Sequence, residues 1–201
     1  MKIVFTAIMG DYDNPLPLIH KSPDWTYLFF TDSPDLEVPG WEMVRVTPTD
    51  NPRLQAKEIK ILAHKHLPPH EVSIWIDGSI QIKRSPNNLY EPHKQAELVL
   101  VSHEDRHDIW EEGDKILELG KETWDNVTSQ LDQYKYEQFG GSFRDDIYMG
   151  GILIRKPTFR VNKIMDEWMT EVRKWSTRDQ LSLPYVLWKN KDNLPKISKA
   201  S

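Results

Sequence analysis

The clearest chemical signal in the sequence is a carboxylate that directly follows a mostly apolar run. The run Val72–Ile76 leads into Asp77, Gly78 and Ser79, which predicts a buried strand that turns at the glycine and presents Asp77 at its carboxyl end. Mg²⁺ and Mn²⁺ bind oxygen ligands, often through one or two carboxylates, with substrate phosphate and water in the remaining positions. Asp77 is therefore a candidate metal ligand or ribose contact, and an Asp that only caps a turn is the alternative.

A second signal is a row of basic side chains within a predicted helix, Arg53–Leu67. Arg53, Lys57, Lys60 and His64 recur at i, i+4, i+7 and i+11, so they share one helix face. The opposite, apolar face is expected to pack on a sheet. A stripe of one sign in an acidic chain favours contact with an anionic ligand such as a diphosphate, and a plain solvated face is the alternative.

A carboxylate and an amide stand side by side at the start of another predicted helix. Here Asp179 can orient a hydroxyl group or act as a base, and Gln180 can stabilise developing charge without titrating. The alternative is that Asp179 only balances the helix dipole, with Ser176 or Thr177 as the N-cap.

Two adjacent glycines, Gly150 and Gly151, precede a further apolar run. Glycine at the start of a strand indicates a backbone that passes close to another group, and a β-bulge is the alternative. The pair is therefore a candidate wall of a binding site.

Short apolar runs alternate with helical patterns, which predicts an α/β fold with a mostly parallel central sheet flanked by helices. The predicted strands are Lys2–Ile8, Thr26–Thr31, a weaker edge strand Glu42–Val46, Val72–Ile76, Leu98–Ser102 and Gly151–Arg155. The predicted helices are Arg53–Leu67, Trp110–Leu119, Thr123–Tyr136, Phe159–Trp175 and one that begins near Arg178. Residues from about 104 to 146 lack strand signals and are interpreted as a helical insertion. Ligands bind outside the carboxyl ends of the strands in such sheets, so the polar clusters should meet in one crevice.

Composition limits the classes of function that are open to the chain. The 201 residues are 38% hydrophobic and 28% charged, which is typical of a folded globular protein. The 26 Lys and Arg against 31 Asp and Glu give a net charge of −5, so a nucleic-acid partner is not expected. With no cysteine, any metal must be held by oxygen or imidazole, and a cytoplasmic location is the default expectation.

One domain is predicted over residues 1–190. The polar residues 191–201 are expected to form a loose tail or a linker to a further domain. No apolar run approaches the roughly 20 residues that cross a bilayer, so no transmembrane segment is predicted.

In chain order these elements resemble a glycosyltransferase of the GT-A fold, and the resemblance covers most of the chain. It rests on Phe5-Thr6-Ala7-Ile8-Met9-Gly10-Asp11-Tyr12-Asp13, the Arg53, Lys57 and Lys60 helix, Trp75-Ile76-Asp77-Gly78 and Arg178-Asp179-Gln180-Leu181-Ser182. The same landmarks are similar to a glycosyltransferase-like family of plant and bacterial proteins with a Trp-Ile-Asp-Gly signature. They are also similar to the N-terminal glycosyltransferase domain of a multidomain chlorella-virus enzyme, which implies a viral protein in a host cytoplasm.

The resemblance implies a UDP-sugar donor, such as UDP-glucose or UDP-rhamnose, lying across the strand ends. The residues that it assigns to the donor are Thr6, Ala7, Ile8, Gly10, Tyr12, Arg53, Lys57, Lys60, Asp77, Gly78, Ser79, Gly150 and Gly151. Asp77 takes the first position of the Asp-x-Asp motif that holds Mn²⁺ or Mg²⁺. The chain departs from the motif at the third position, where Ser79 supplies a hydroxyl, which is a poor divalent-metal ligand.

For the reaction, the resemblance implies transfer of a hexose or deoxyhexose to a glycan or glycoprotein acceptor, with retention of anomeric configuration. Asp179 and Gln180 are then the catalytic residues. Under inversion the base would be Asp179 or a residue of Arg144-Asp145-Asp146. A weak or inactive sugar-binding module and a metal-dependent phosphoesterase remain as alternatives.

Overall fold

The computed structural model describes residues 1–143 and 146–200 and contains one mixed sheet within them. Its strands are β1 Lys2–Ile8, β2 Trp25–Thr31, β3 Glu42–Arg45, β4 Val72–Ile76, β5 Leu98–Ser102, β6 Tyr148–Arg155 and β7 Ile197–Ala200. Their order across the sheet is β3-β2-β1-β4-β6-β5-β7. All pairs are parallel except those of β6, which runs antiparallel to both β4 and β5. The mostly parallel sheet is therefore confirmed.

Helices cover the sheet and connect its strands. They are α1 Pro52–Ile61, α2 Ala63–His66, α3 Asn87–Tyr90, α4 Ile109–Glu118, α5 Trp124–Tyr136, α6 Phe159–Lys174 and α7 Asp179–Lys189. Asn51 caps α1 by accepting a hydrogen bond from the Leu54 amide at 3.0 Å, and Pro52 occupies the first turn, where its missing N–H is not needed. The single helix predicted over Arg53–Leu67 is wrong in one respect, because the backbone breaks at Leu62 with φ −91° and ψ 39°.

Alternate residues of the central strands supply two cores, one on each face of the sheet. Ile3 and Phe5 of β1 are buried in the larger core with the inner sides of α1, α6 and α7. Val4 and Ile74 belong to the smaller core on the opposite face. Successive side chains of a strand point to opposite faces of the sheet. Because both faces are covered here, both sets of side chains are apolar, and each central strand is a continuous apolar run in the sequence.

The predicted helical insertion is formed by α4 and α5. Tyr134 of α5 stacks on Tyr185 of α7 with ring centroids 3.8 Å apart, and both side chains are fully buried. Aromatic contacts of this kind attach the insertion to the main body of the fold.

The C-terminal segment differs from the expected loose tail. Strand β7 pairs in parallel with β5 along the register Leu98 to Ile197, and the Glu97 amide donates to the Lys196 carbonyl at 2.7 Å. This pairing provides hydrogen-bond partners for the backbone groups at the outer edge of β5. The sequence did not predict β7, because the segment is short and polar. Within the described residues no helix is long and apolar enough to cross a membrane.

Candidate functional site

A cleft of about 390 Å³ lies where β1 and β4 end, β6 begins, and the first turns of α1 and α7 approach the sheet. All of the predicted donor-site and catalytic residues except Thr6 and Gly10 line it. The convergence of side chains from positions as far apart as Ala7 and Gln180 follows from the shared edge of the strands.

Thr6 and Gly10 shape the cleft without lining it. The Thr6 side chain is buried in β1. Gly10 adopts a positive φ of 59°, and a Cβ built there would lie 2.9 Å from Pro52 Cβ. Its amide donates to both carboxylate oxygens of Asp32, at 3.0 and 3.1 Å. A glycine is therefore required for the turn after β1 and for the close approach of α1.

Asp77 is held at the end of β4 by two hydrogen bonds. The indole nitrogen of Trp75 donates to Asp77 Oδ1 at 2.6 Å, because residues i and i+2 of a strand share a face. The Asp77 amide donates to the Gly151 carbonyl at 2.9 Å. A Cβ on Gly151 would lie 3.7 Å from Asp77 Oδ2, so the missing side chain keeps the space beside this oxygen open.

These groups fit a divalent cation only if a bound ligand completes its shell. No cluster of three or more His, Asp or Glu side chains that could hold an ion occurs in the part of the chain that the structure describes. Asp77 and Ser79 both line the cleft. Mg²⁺ or Mn²⁺ commonly binds through such a small set of protein ligands when phosphate oxygens and water fill the remaining positions.

Asp179 forms a buried ion-pair cluster with two lysines of α1. Lys57 Nζ lies 2.9 Å from Asp179 Oδ1, and Lys60 Nζ lies 2.5 Å from Oδ2. Burial opposes the charged carboxylate, but the two ammonium groups outweigh it and hold the pKa of Asp179 well below its usual range. Burial, together with the neighbouring charge of Lys60, lowers the pKa of Lys57 from 10.5 to about 8, despite the opposing attraction of Asp179.

The basic stripe predicted on α1 therefore does not simply face an external anion. Lys60 is 1% exposed and forms an ion pair with Asp179. Lys57 also forms an ion pair with Asp179. His64 lies beyond the break at Leu62 and its Nε2 is 3.3 Å from Asp166 Oδ1, outside the cleft. Within the stripe, Arg53 lines the cleft without an ion pair to any described residue.

Gly150 permits the lysine cluster to approach the sheet. A Cβ at this position would lie 2.8 Å from Lys60 Nζ and 3.5 Å from Asp179 Oδ2. The register of β6 against β5 also shifts here, since Leu100 pairs with Leu153 while Val101 pairs with Met149. The structure thus confirms both interpretations of the glycine pair, a close approach of another group to the backbone and a bulge in the strand.

The start of α7 is fixed by its neighbours. Gln180 Nε2 donates to the Tyr148 carbonyl at 3.2 Å, and the Trp168 indole donates to the Asp179 carbonyl at 2.9 Å. The N-cap is Arg178, which makes no side-chain capping bond, so the cap at Ser176 or Thr177 that belonged to the alternative interpretation is wrong.

Comparison with known proteins identifies the family. Residues 31–198 match the family model described as "TOD1/MUCI70, glycosyltransferase-like domain". The chain belongs to this family. It is 27% identical over 157 residues to the probable hexosyltransferase MUCI70 of Arabidopsis thaliana, covering 73% of this chain and 27% of that protein. The chain thus spans about a quarter of the length of this relative.

A solved structure of similar fold supports the fold class. The TOD1/MUCI70 domain resembles mouse xyloside xylosyltransferase 1 in its apo form, with a TM-score of 0.51, 8% identity and coverage of 100% of this chain and 84% of the other. The galactosyltransferase LgtC in complex with donor and acceptor sugar analogues gives a TM-score of 0.47 at 9% identity, over 100% and 73% of the two chains. The fold is that of the GT-A glycosyltransferases, as the sequence predicted.

Sequence reasoning missed two cations in the cleft of this TOD1/MUCI70 domain, Lys121 and Arg178. Arg178 could have been predicted as a cleft residue, because it directly precedes the predicted site residue Asp179. Lys121 lies between α4 and α5, where no pattern in the sequence connects it to the strand ends.

Of the residues named as alternative sources of the base, Arg144 and Asp145 lie outside the described residues. Asp146 does not line the cleft and pairs with Lys199 at 2.6 Å.

Proposed function

We propose that this domain is a glycosyltransferase that moves a hexose or deoxyhexose from a UDP-sugar to a glycan or glycoprotein acceptor. The observation that carries the proposal is the convergence of Asp77, the Gly150-Gly151 pair, Asp179 and Gln180 on one cleft at the strand ends. Membership of a glycosyltransferase-like family supports the reaction class. The hexosyl group is suggested by the name of the Arabidopsis relative.

In the reaction, the bond between the anomeric carbon and the diphosphate oxygen breaks, and an acceptor hydroxyl oxygen forms the new glycosidic bond. The hydroxyl proton passes to a base, and UDP leaves with the bonding electron pair. The transition state carries positive charge on the sugar and negative charge on the diphosphate. A cleft that positions both groups and stabilises both charges lowers the activation barrier.

Retention of configuration is the stereochemistry that we propose. An inverting reaction needs a carboxylate with a useful proton affinity, and Asp179 lacks one because both of its oxygens bind ammonium groups. Gln180 donates its amide hydrogen to Tyr148, which leaves the amide oxygen available to face positive charge on the sugar. In this scheme the leaving phosphate oxygen takes the proton of the acceptor.

A divalent cation, Mn²⁺ or Mg²⁺, would be held by Asp77 and Ser79 together with donor oxygens. When bound, it neutralises charge that develops on the diphosphate. Trp75 orients the Asp77 carboxylate for this task through the hydrogen bond to Oδ1. Cytoplasmic location, viral origin and fusion to further domains stay predictions from the sequence.

Calorimetric titration tests the function. UDP, UDP-glucose, UDP-rhamnose and other UDP-hexoses are titrated with and without Mn²⁺ into the wild type, Asp77→Ala and Asp35→Ala, an exposed loop carboxylate outside the cleft. We expect micromolar UDP binding that Mn²⁺ strengthens, loss of the strengthening in Asp77→Ala, and no change in Asp35→Ala.

Other outcomes favour the alternatives. Absence of binding by every uridine nucleotide contradicts the transferase. Binding without donor hydrolysis or transfer favours an inactive sugar-binding module. Release of phosphate from p-nitrophenyl phosphate would favour a phosphoesterase, whose denser set of metal ligands is not found among the described residues.

A further inference from the structure

Three basic side chains line the cleft without a carboxylate partner. Arg53 comes from the first turn of α1, Lys121 from the α4–α5 connection and Arg178 from the residue before α7. None of the three makes an ion pair within residues 1–143 and 146–200, whereas Lys57 and Lys60 both pair with Asp179. Unpaired positive charge is thus concentrated in this cleft of a protein whose net charge is −5.

Hydrogen bonds fix the segments that carry the three cations, and one of these bonds joins Arg53 directly to the Lys121 backbone. Arg53 Nη1 donates to the Lys121 carbonyl at 3.2 Å, which joins the start of α1 to the α4–α5 connection. The Arg178 amide donates to Ser176 Oγ at 3.0 Å in the segment before α7. Arg53 and Arg178 are half-buried, so their charges act in a less aqueous setting than free surface cations.

Glu122 ties the second and third cations together. Its Oε2 accepts from Ser176 Oγ at 3.2 Å and from the Thr177 amide at 3.3 Å. Burial opposes the charge on Glu122, but hydrogen bonds, including that of the Thr123 amide, outweigh it and lower the pKa of the carboxyl. The segments that carry Lys121 and Arg178 are therefore connected through an ionised side chain that itself lies outside the cleft lining.

We propose that Arg53, Lys121 and Arg178 form a diphosphate-binding triad. Guanidinium and ammonium groups bind phosphate oxygens through charge-assisted hydrogen bonds, and arginine forks can engage two oxygens at once. The donor diphosphate of a nucleotide sugar carries about two negative charges, which these groups offset. The three residues lie on separate segments, so a diphosphate bound by all of them would contact both the insertion and the main body. This assignment rests on the proposed function for the identity of the nucleotide, but the anion site can be tested without it.

Inorganic pyrophosphate is the probe, titrated calorimetrically in EDTA so that no metal bridges it to Asp77. The variants are Arg53→Met, Lys121→Met and Arg178→Met. The matched control is Lys135→Met, which removes an exposed cation of α5 outside the cleft. UDP and uridine are titrated alongside, and circular dichroism checks that each variant is folded.

We expect each triad variant to weaken pyrophosphate and UDP binding by about tenfold, since one hydrogen-bonded charge contributes roughly that factor. Uridine binding should not change, and Lys135→Met should bind all three as the wild type does. Unchanged pyrophosphate and UDP affinity in the triad variants overturns the triad and leaves the proposed function standing. Pyrophosphate binding that depends on the triad, without binding of any uridine nucleotide, supports the triad and contradicts the proposed function. A wild type that binds neither overturns both.

Glu122→Ala and Glu122→Gln test the connection. Glu122→Ala removes the acceptor for Ser176 and Thr177, so pyrophosphate binding should weaken although no cation is lost. Glu122→Gln keeps an acceptor oxygen and should restore part of the affinity. Equal affinity in the wild type and both variants would show that Glu122 does not position the triad.

Discussion

The ammonium nitrogen of Lys57 lies 2.9 Å from Oδ1 of Asp179, in a cluster that Lys60 completes on the other carboxylate oxygen. The lysines come from α1 and the carboxylate from the start of α7. The cluster therefore joins two elements that are distant in sequence at the floor of the cleft. It also keeps Asp179 ionised, which fits a positioning role better than that of a proton acceptor.

Loss of one lysine from this cluster should destabilise the fold. Lys60→Met leaves Asp179 with one of its two counter-charges at a site where Lys60 is 1% exposed, so we expect unfolding to become easier by about 3 kcal/mol. Urea denaturation measures the change. The control is Lys65→Met, whose ion pair with Asp166 is half exposed and should contribute less than about 1 kcal/mol. Equal costs for the two substitutions would show that the buried cluster is not stabilising.

The same cluster gives a pH dependence with a definite sign. Burial lowers the pKa of Lys57 from 10.5 to about 8 in the folded protein. Between these values the unfolded chain binds more protons, so stability should increase as the pH rises through this window, by about 3 kcal/mol at most. Subtracting the urea unfolding free energy of Lys57→Met at each pH isolates this residue. If the wild type and Lys57→Met change in parallel from pH 8 to 10.5, the pKa of Lys57 is not lowered.

The sequence predicted the strands well where both faces are buried. Lys2–Ile8, Val72–Ile76 and Leu98–Ser102 have the predicted bounds, because a strand covered on both sides needs an unbroken apolar run. The last strand, Ile197–Ala200, was missed, since it is short and half polar and forms because β5 offers a free edge. The break at Leu62 was also missed, as neither glycine nor proline marks it.

The cleft could be predicted from the sequence more readily than its charge state. Polar residues that follow parallel strands lie at the same edge of the sheet. The sequence therefore predicted correctly that Asp77 and Ser79 line the cleft. Which cations are free depends on contacts between distant residues. Lys60 and Asp179 are 119 positions apart, and no local pattern indicates that they pair. The same is true of Lys121, which reaches the cleft from the insertion.

The hydrogen bond from Trp75 to Asp77 should matter for metal-assisted donor binding. Trp75→Phe keeps the buried ring but removes the donor to Oδ1, so the carboxylate loses its fixed orientation. We expect the strengthening of UDP binding by Mn²⁺ to fall about tenfold in calorimetric titrations. Trp25→Phe is the control, because it removes a comparable bond to Asn87 at 2.8 Å in a strand outside the cleft. A similar loss in both variants would mean that the effect is on stability and not on Asp77.

Gly150 should be intolerant of even one added methyl group. A Cβ there would lie 2.8 Å from Lys60 Nζ, so this buried ammonium group would have to shift and its contact with Asp179 would be disturbed. Gly150→Ala should cost about 1–3 kcal/mol in urea denaturation and weaken UDP binding as α1 moves. Gly140→Ala is the control, since its backbone has no positive φ and the nearest atom to the new Cβ would be 3.7 Å away. Wild-type stability and UDP affinity in Gly150→Ala would show that the approach of Lys60 to the sheet is looser than these distances require.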